Sequence, residues 1–251
     1  MRSFLALTWM ELKLFAREPL TVVFVVVLPL VVLYVLNGVF GTAPPDPSVW
    51  EGLDSVDFYT SAYVALVAAT AGVLSLPVHL AAYREQGVLR RFRASAVRPS
   101  VLVAAHMAVT VVAATAGTVP LVVVSRLGYD VTLPRSWPGV LAAYLLVAVS
   151  FAALGALLGF LLPTARTAQG LGVLLFFVFM MLGGAGPPRE VLPPLLGHVG
   201  DAVPVTYAAR LLRDPWLGRP WDVGAVAVVT GILLASLLLT GWLLGRQSAR
   251  T

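Results

Sequence analysis

An all-α integral membrane protein with six transmembrane helices is the fold class the sequence predicts, and three observations predict it. Only 12% of the 251 residues are charged and 59% are hydrophobic, whereas an ordinary soluble domain carries roughly 25% charged residues. Six apolar stretches approach or exceed the about 20 residues with which a helix crosses a hydrocarbon core of roughly 30 Å. The basic residues gather at the ends of those stretches and mostly on one side of them, as the positive-inside bias of membrane insertion demands.

Ahead of the first stretch, Ser3 to Arg17 reads as an amphipathic helix lying in the membrane interface. Leu5, Trp9, Leu12 and Ala16 recur at helical spacing, Phe4 and Phe15 flank them, and Arg2, Lys13 and Arg17 cluster opposite. The same residues also fit a plain positively charged anchor for the first span. Pro19 ends this segment, because the residue before a proline is pushed out of the α region. The apolar run from Leu20 to Phe40 is longer than a signal-peptide core and follows a long charged segment, so it is expected to be an uncleaved first span.

The other spans are expected at Phe58 to Ala82, Val101 to Ser125, Val140 to Leu162, Ala168 to Ala185 and Val223 to Leu244. This makes residues 1–251 a single transmembrane domain. Eleven of the 17 Lys and Arg residues fall on the side that holds both termini, and six fall on the other. Both termini are therefore expected in the cytoplasm.

The largest cytoplasmic loop, residues 83–100, carries Arg84, Arg90, Arg91, Arg93 and Arg98. Five arginines at the bilayer centre would cost upwards of about 12 kcal/mol, so this loop cannot lie in lipid. On the opposite side, residues 186–221 hold seven of the 18 prolines yet contain the apolar pieces Val191 to Leu196 and Tyr207 to Leu212. These are too short to span, and short helices dipping into the outer leaflet fit them, as does a surface loop capped by Trp216 and Trp221. Two G-x-x-x-G motifs, Gly155 to Gly159 and Gly241 to Gly245, permit close helix packing within the chain or between subunits.

The chemistry-bearing residues exclude more than they include. The net charge of +5 is placed at the ends of apolar runs rather than on one polar surface, so no nucleic-acid partner is expected. There is no cysteine, and His79, His106 and His198 are widely separated, so no metal site is expected. The one lysine, Lys13, follows no glycine loop, so the chain cannot be its own P-loop ATPase. No Asp, Glu, Lys or Arg falls in the middle of a span, where an ion-coupled carrier needs ligands, and no G-x-S-x-G elbow is present. The chain is thus not expected to be an enzyme, and it reads as a membrane body whose energy comes from another protein. An ion-coupled secondary transporter or channel with no ATPase partner is the next reading, and a non-transport membrane scaffold the third.

Three motifs carry a family resemblance. Glu11-Leu-Lys-Leu-Phe-Ala-Arg17-Glu-Pro19 precedes an apolar span containing Pro29. Arg84-Glu85-Gln-Gly87-Val-Leu89-Arg-Arg91-Phe92-Arg-Ala-Ser95-Ala96-Val97 follows the second span. Val203-Pro204-Val-Thr206-Tyr207, with Leu212-Arg213 after it, precedes the last. In this order the chain resembles the membrane subunits of type-2 ATP-binding-cassette (ABC) exporters, the drug-resistance permeases among them. It departs from their pattern at Val88, where Thr is usual, at Ala96, where Pro is common, and at Val203, which replaces an Asn.

The resemblance implies a permease working as a dimer, with a second copy or a related permease, in the plasma (inner) membrane. ATP and Mg2+ would be bound by a separate ABC ATPase subunit and no cofactor by this chain, and a hydrophobic or amphipathic compound (a drug, antibiotic or lipid-like molecule) would be exported. Residues 83–100 would form a cytoplasmic coupling helix on the ATPase, through Glu85, Gly87, Leu89, Arg90, Arg91, Phe92, Arg93 and Val97. Glu11, Lys13, Arg17 and Pro19 would belong to an elbow helix (residues 1–19) that also touches it, and Pro204, Tyr207 and Arg213 to the outer loop. The residues agree, since Val88, Leu89 and Phe92 can form one apolar face and leave Arg90, Arg91 and Arg93 for acidic partner groups or lipid headgroups. A bare positive-inside determinant also fits that loop. Phe176, Phe177, Phe179, Met180 and Met181 could line a soft drug path, or face lipid, or simply pack.

Overall fold

The computed structural model describes residues 8–10, 13, 23–40, 55–88, 99–186 and 192–248, and every regular element among them is helical. Five helices are long and apolar enough to cross a bilayer: Val56–Glu85, Ser100–Tyr129, Trp137–Leu161, Ala165–Leu182 and Val223–Arg246. The first apolar run is described from Val23 onward. It forms a π-helical turn, Val23–Val27, leading into α1 (Leu28–Phe40).

The second span has the same construction. α2 (Ser55–Thr70) passes through a π turn, Ala71–Ser75, into α3 (Leu76–Glu85). In both spans a proline, Pro29 or Pro77, stands just after the π turn. A proline ring lacks the N–H of an ordinary residue and collides with the carbonyl four residues back, and a wider turn at that point accommodates it without ending the helix.

Four helices complete the spans and two short ones lie between them. α4 is Pro99–Tyr129, α5 Trp137–Leu161, α6 Ala165–Leu182, α7 Pro194–Ala202, α8 Pro204–Trp216 and α9 Val223–Ser248. α6 begins and ends earlier than the apolar run suggested. Thr164 and Thr167 form a reciprocal capping box that starts it, and Gly183 closes it before Gly184 turns with φ +89°. α7 and α8, each starting at a proline, are the short helices expected between residues 186 and 221. At 13 residues α8 is about 20 Å long, too short to cross.

The α2–α3 rod is the axis of the bundle. Its apolar window is 89% buried, against 22% for α9. Small residues let its neighbours approach. A side chain added at Gly72 would collide with the Phe151 backbone, and one added at Gly155 with the Gly72 backbone. At Gly159 it would lie 2.7 Å from Leu80 Cβ, and at Gly172 2.9 Å from Leu74 Cα. The G-x-x-x-G pair of α5 therefore packs within the chain. Gly241 and Gly245 of α9 have, among the described residues, nothing within 4 Å of such an added atom.

Candidate functional site at the ends of the α2–α3 rod

At one end, the last turn of α3 leads into the 83–100 loop. Gly87, with φ +67°, adopts the left-handed conformation that closes a helix, and the N–H groups of Gln86 and Gly87 donate to Ala82 O (2.9 Å) and Arg84 O (3.2 Å). One residue before Glu85, Arg84 leaves the rod sideways. Its Nη1 donates to the carbonyls of Gly159 (2.9 Å), Phe160 (2.8 Å) and Leu162 (2.9 Å). The last carbonyls of a helix have no partners of their own and carry the negative end of its dipole. A cation that accepts this role makes charge-assisted bonds. Arg84 thus caps α5 and fastens the root of the loop to the corner between α5 and α6. Next to it, Tyr83 meets the buried His106 of α4 edge to face at 5.3 Å, and His106 Nδ1 lies 3.0 Å from Leu102 O.

At the other end, α2 is held by α8. Arg213 is buried, with its guanidinium 3.7 Å over the Phe58 ring and its Nε donating to Ser61 Oγ at 3.4 Å. Asp57, in the first turn of α2, accepts from the backbone N–H and the hydroxyl of Thr132 at 2.9 and 2.8 Å. Trp216 Nε1 donates to Thr132 O at 2.8 Å, and the N–H of Arg135 to Trp216 O at 2.9 Å. α8 also buries Val205, Thr206, Ala208, Ala209, Leu211 and Leu212, so its apolar face belongs to the body of the bundle.

The sequence-derived site residues distribute unevenly over this frame. Glu85 is exposed and Gly87 partly buried at the rod's end, while Leu89, Arg90, Arg91, Phe92, Arg93 and Val97 lie outside the described residues. Of the elbow segment, Lys13 is helical and exposed with its ammonium 5.1 Å from the Trp9 ring, and Glu11, Arg17 and Pro19 lie outside the described residues. Pro204 opens α8, Tyr207 is partly buried below Arg210 at 5.9 Å, and Arg213 is the clamp on α2. Phe176 is fully buried, edge-on to Phe24 at 5.5 Å, and Phe179 packs on Phe151 at 6.0 Å. Met180 lines the same core, whereas Phe177 and Met181 face outward.

Two roles were hidden in the sequence. Arg84 stood only as a member of the basic loop and its motif, and Arg213 only as a residue of the outer-loop motif, and neither had a partner across the bundle. The signal for Arg84 was its place within one turn of the apolar run and three residues before a helix-closing glycine.

An all-helical, multi-pass membrane body with a tied loop root at one end and two short helices at the other, one exposed and one buried, defines the class: a polytopic membrane protein. The chain belongs to the ABC-2 type transporter family, whose pattern it matches over residues 2–216. It is also similar to YvfS of Bacillus subtilis (strain 168), a protein called a transport permease by name. The two are 24% identical over 245 residues, covering 95% of this chain and 96% of the relative.

Proposed function

We propose that this chain is the permease subunit of an ABC exporter, moving a hydrophobic or amphipathic compound outward on ATP hydrolysed, with Mg2+, by a separate nucleotide-binding subunit. Two permease copies, or one with a related permease, flank the path in the plasma membrane, with both termini in the cytoplasm. The observation that carries this reading is Arg84. The root of the loop that would rest on the ATPase carries a side chain bonded to the carbonyls of Gly159 and Phe160 in the last turn of α5 and of Leu162 just after it. A push on the loop is thereby delivered to α3 and α5 together rather than dissipated in the loop, and bistable packing can convert such a push into an altered pathway.

The test is co-purification with a P-loop ATPase, followed by transport in proteoliposomes. Changing Leu89, Arg91 and Phe92 to Ala is expected to abolish the complex, and a hydrolysis-dead ATPase to abolish transport. Transport that continues with the dead ATPase would overturn the reading in favour of an ion-coupled carrier or channel.

A further inference from the structure

Near the α8 end of the bundle a groove of about 290 Å3 opens between α4 and α5. Val64 of α2 closes its floor, Val119 and Val123 of α4 form one wall and Leu141 of α5 the other, and the indoles of Trp137 and Trp216 bound it toward the helix ends. Val119, Val123, Leu141 and Trp137 are about half exposed, so the open side looks away from the protein. Val123 and Val119 lie six and ten residues in from Tyr129 along candidate span Ser100–Tyr129, or about 9 and 15 Å of helix. The open side therefore faces the acyl region of one leaflet.

The chemistry of the lining narrows the occupant. Thr115 and Thr118 border the groove, but Thr115 is engaged by the Tyr144 hydroxyl at 3.1 Å and the Thr118 oxygen is buried. No polar atom is offered that would orient a functionalised small molecule, and the volume sits at the bottom of the roughly 300–1,000 Å3 range of drug-sized sites. The rim is different. Arg135 is exposed two residues before Trp137, and its N–H is bonded to the carbonyl of Trp216. Gly218, at φ +70°, leaves room for its stem, since a side-chain atom there would lie 3.2 Å from Arg135 Cδ. The neighbouring Arg126 is occupied by Asp130, whereas Arg135 makes no ion pair among the described residues. A cation above an apolar slot flanked by two indoles matches a lipid phosphate above an acyl chain.

We propose that this groove is a resident phospholipid site, taking one acyl chain between α4 and α5 with the phosphate at Arg135. The site stands on the geometry of described helices and is independent of ATP coupling. The full-length protein in phosphatidylethanolamine vesicles would be irradiated with a phosphatidylglycerol carrying a diazirine on its acyl chain, and with the matching diacylglycerol. Residues 115–123 and 137–144 are expected to label at least about fivefold more than the more exposed stretch 234–242 of α9, a difference of about 1 kcal/mol in occupancy. Leu141→Trp, or Val119→Phe should the first variant fail to fold, is expected to abolish that excess. Arg135→Ala is expected to lower labelling by the phosphatidylglycerol and leave that by the diacylglycerol unchanged. Equal labelling of groove and α9, or an excess that survives filling, would mean ordinary annular lipid and overturn the site. Equal labelling of wild type and Arg135→Ala by the phosphatidylglycerol would overturn the phosphate assignment.

Discussion

The two ends of the α2–α3 rod are each fastened by an arginine, but by opposite chemistry. Arg84 belongs to the rod and reaches out to the unpaired carbonyls of α5, a partner made of backbone that no side-chain substitution can remove. Arg213 belongs to α8 and reaches in to the rod, stacking on the Phe58 ring with a long bond to Ser61. Directional bonds to backbone hold a fixed angle, whereas a guanidinium on an aromatic face can slide. At the loop end the arginine itself makes the directional bonds to backbone, whereas at the α8 end those bonds are the ones Asp57 accepts from Thr132 and the arginine adds its stack on Phe58.

That contrast can be broken from the middle outward. Gly155→Leu, which forces a side chain into the Gly72 backbone, is expected to cost more than about 4 kcal/mol and prevent folding. Gly241→Leu, at an open position of α9, is expected to leave expression and detergent melting temperature unchanged. Arg84→Ala uncaps α5 and removes charge-assisted bonds worth about 1.5–3 kcal/mol. Thermal unfolding should fall accordingly, and Arg84→Lys should recover only part, since an ammonium cannot match the guanidinium's planar fork. Arg213→Met keeps the packed stem and loses the cation over the ring, at about 1–2 kcal/mol, read by the same melt. Ser61→Ala removes the 3.4 Å bond from Arg213 together with the hydroxyl's own 2.9 Å donation to Phe58 O and is expected to cost about 1 kcal/mol or less. Equal losses for Arg84→Ala and Arg213→Met, with full rescue by Arg84→Lys, would erase the distinction between the two ends.

Much of the frame was legible beforehand because hydropathy and proline placement are one-dimensional signals. Runs of apolar residues located the spans, and the proline-rich stretch with its two short apolar pieces fitted short helices where α7 and α8 lie, without giving their starts at Pro194 and Pro204. The arginine clamps were not legible, because a charge count sees Arg84 and Arg213 only as members of a side and not what lies across the bundle from them. The fit of Gly155 against Gly72 needed the structure for the same reason: a G-x-x-x-G motif states that a close approach is possible without naming the partner. The same spacing in α9 meets no atom within 4 Å among the described residues.

The π turn at Ala71–Ser75 sets a rotational phase. Each residue advances a helix by about 100°, so the extra residue housed in that turn fixes which way α3 points relative to α2. Shortening the chain by one residue there would leave α2 seated against α8 while turning Arg84 more than a quarter revolution from the carbonyls it caps. The rod therefore works as a keyed shaft, with its two halves cut to different angles and the key placed at the proline.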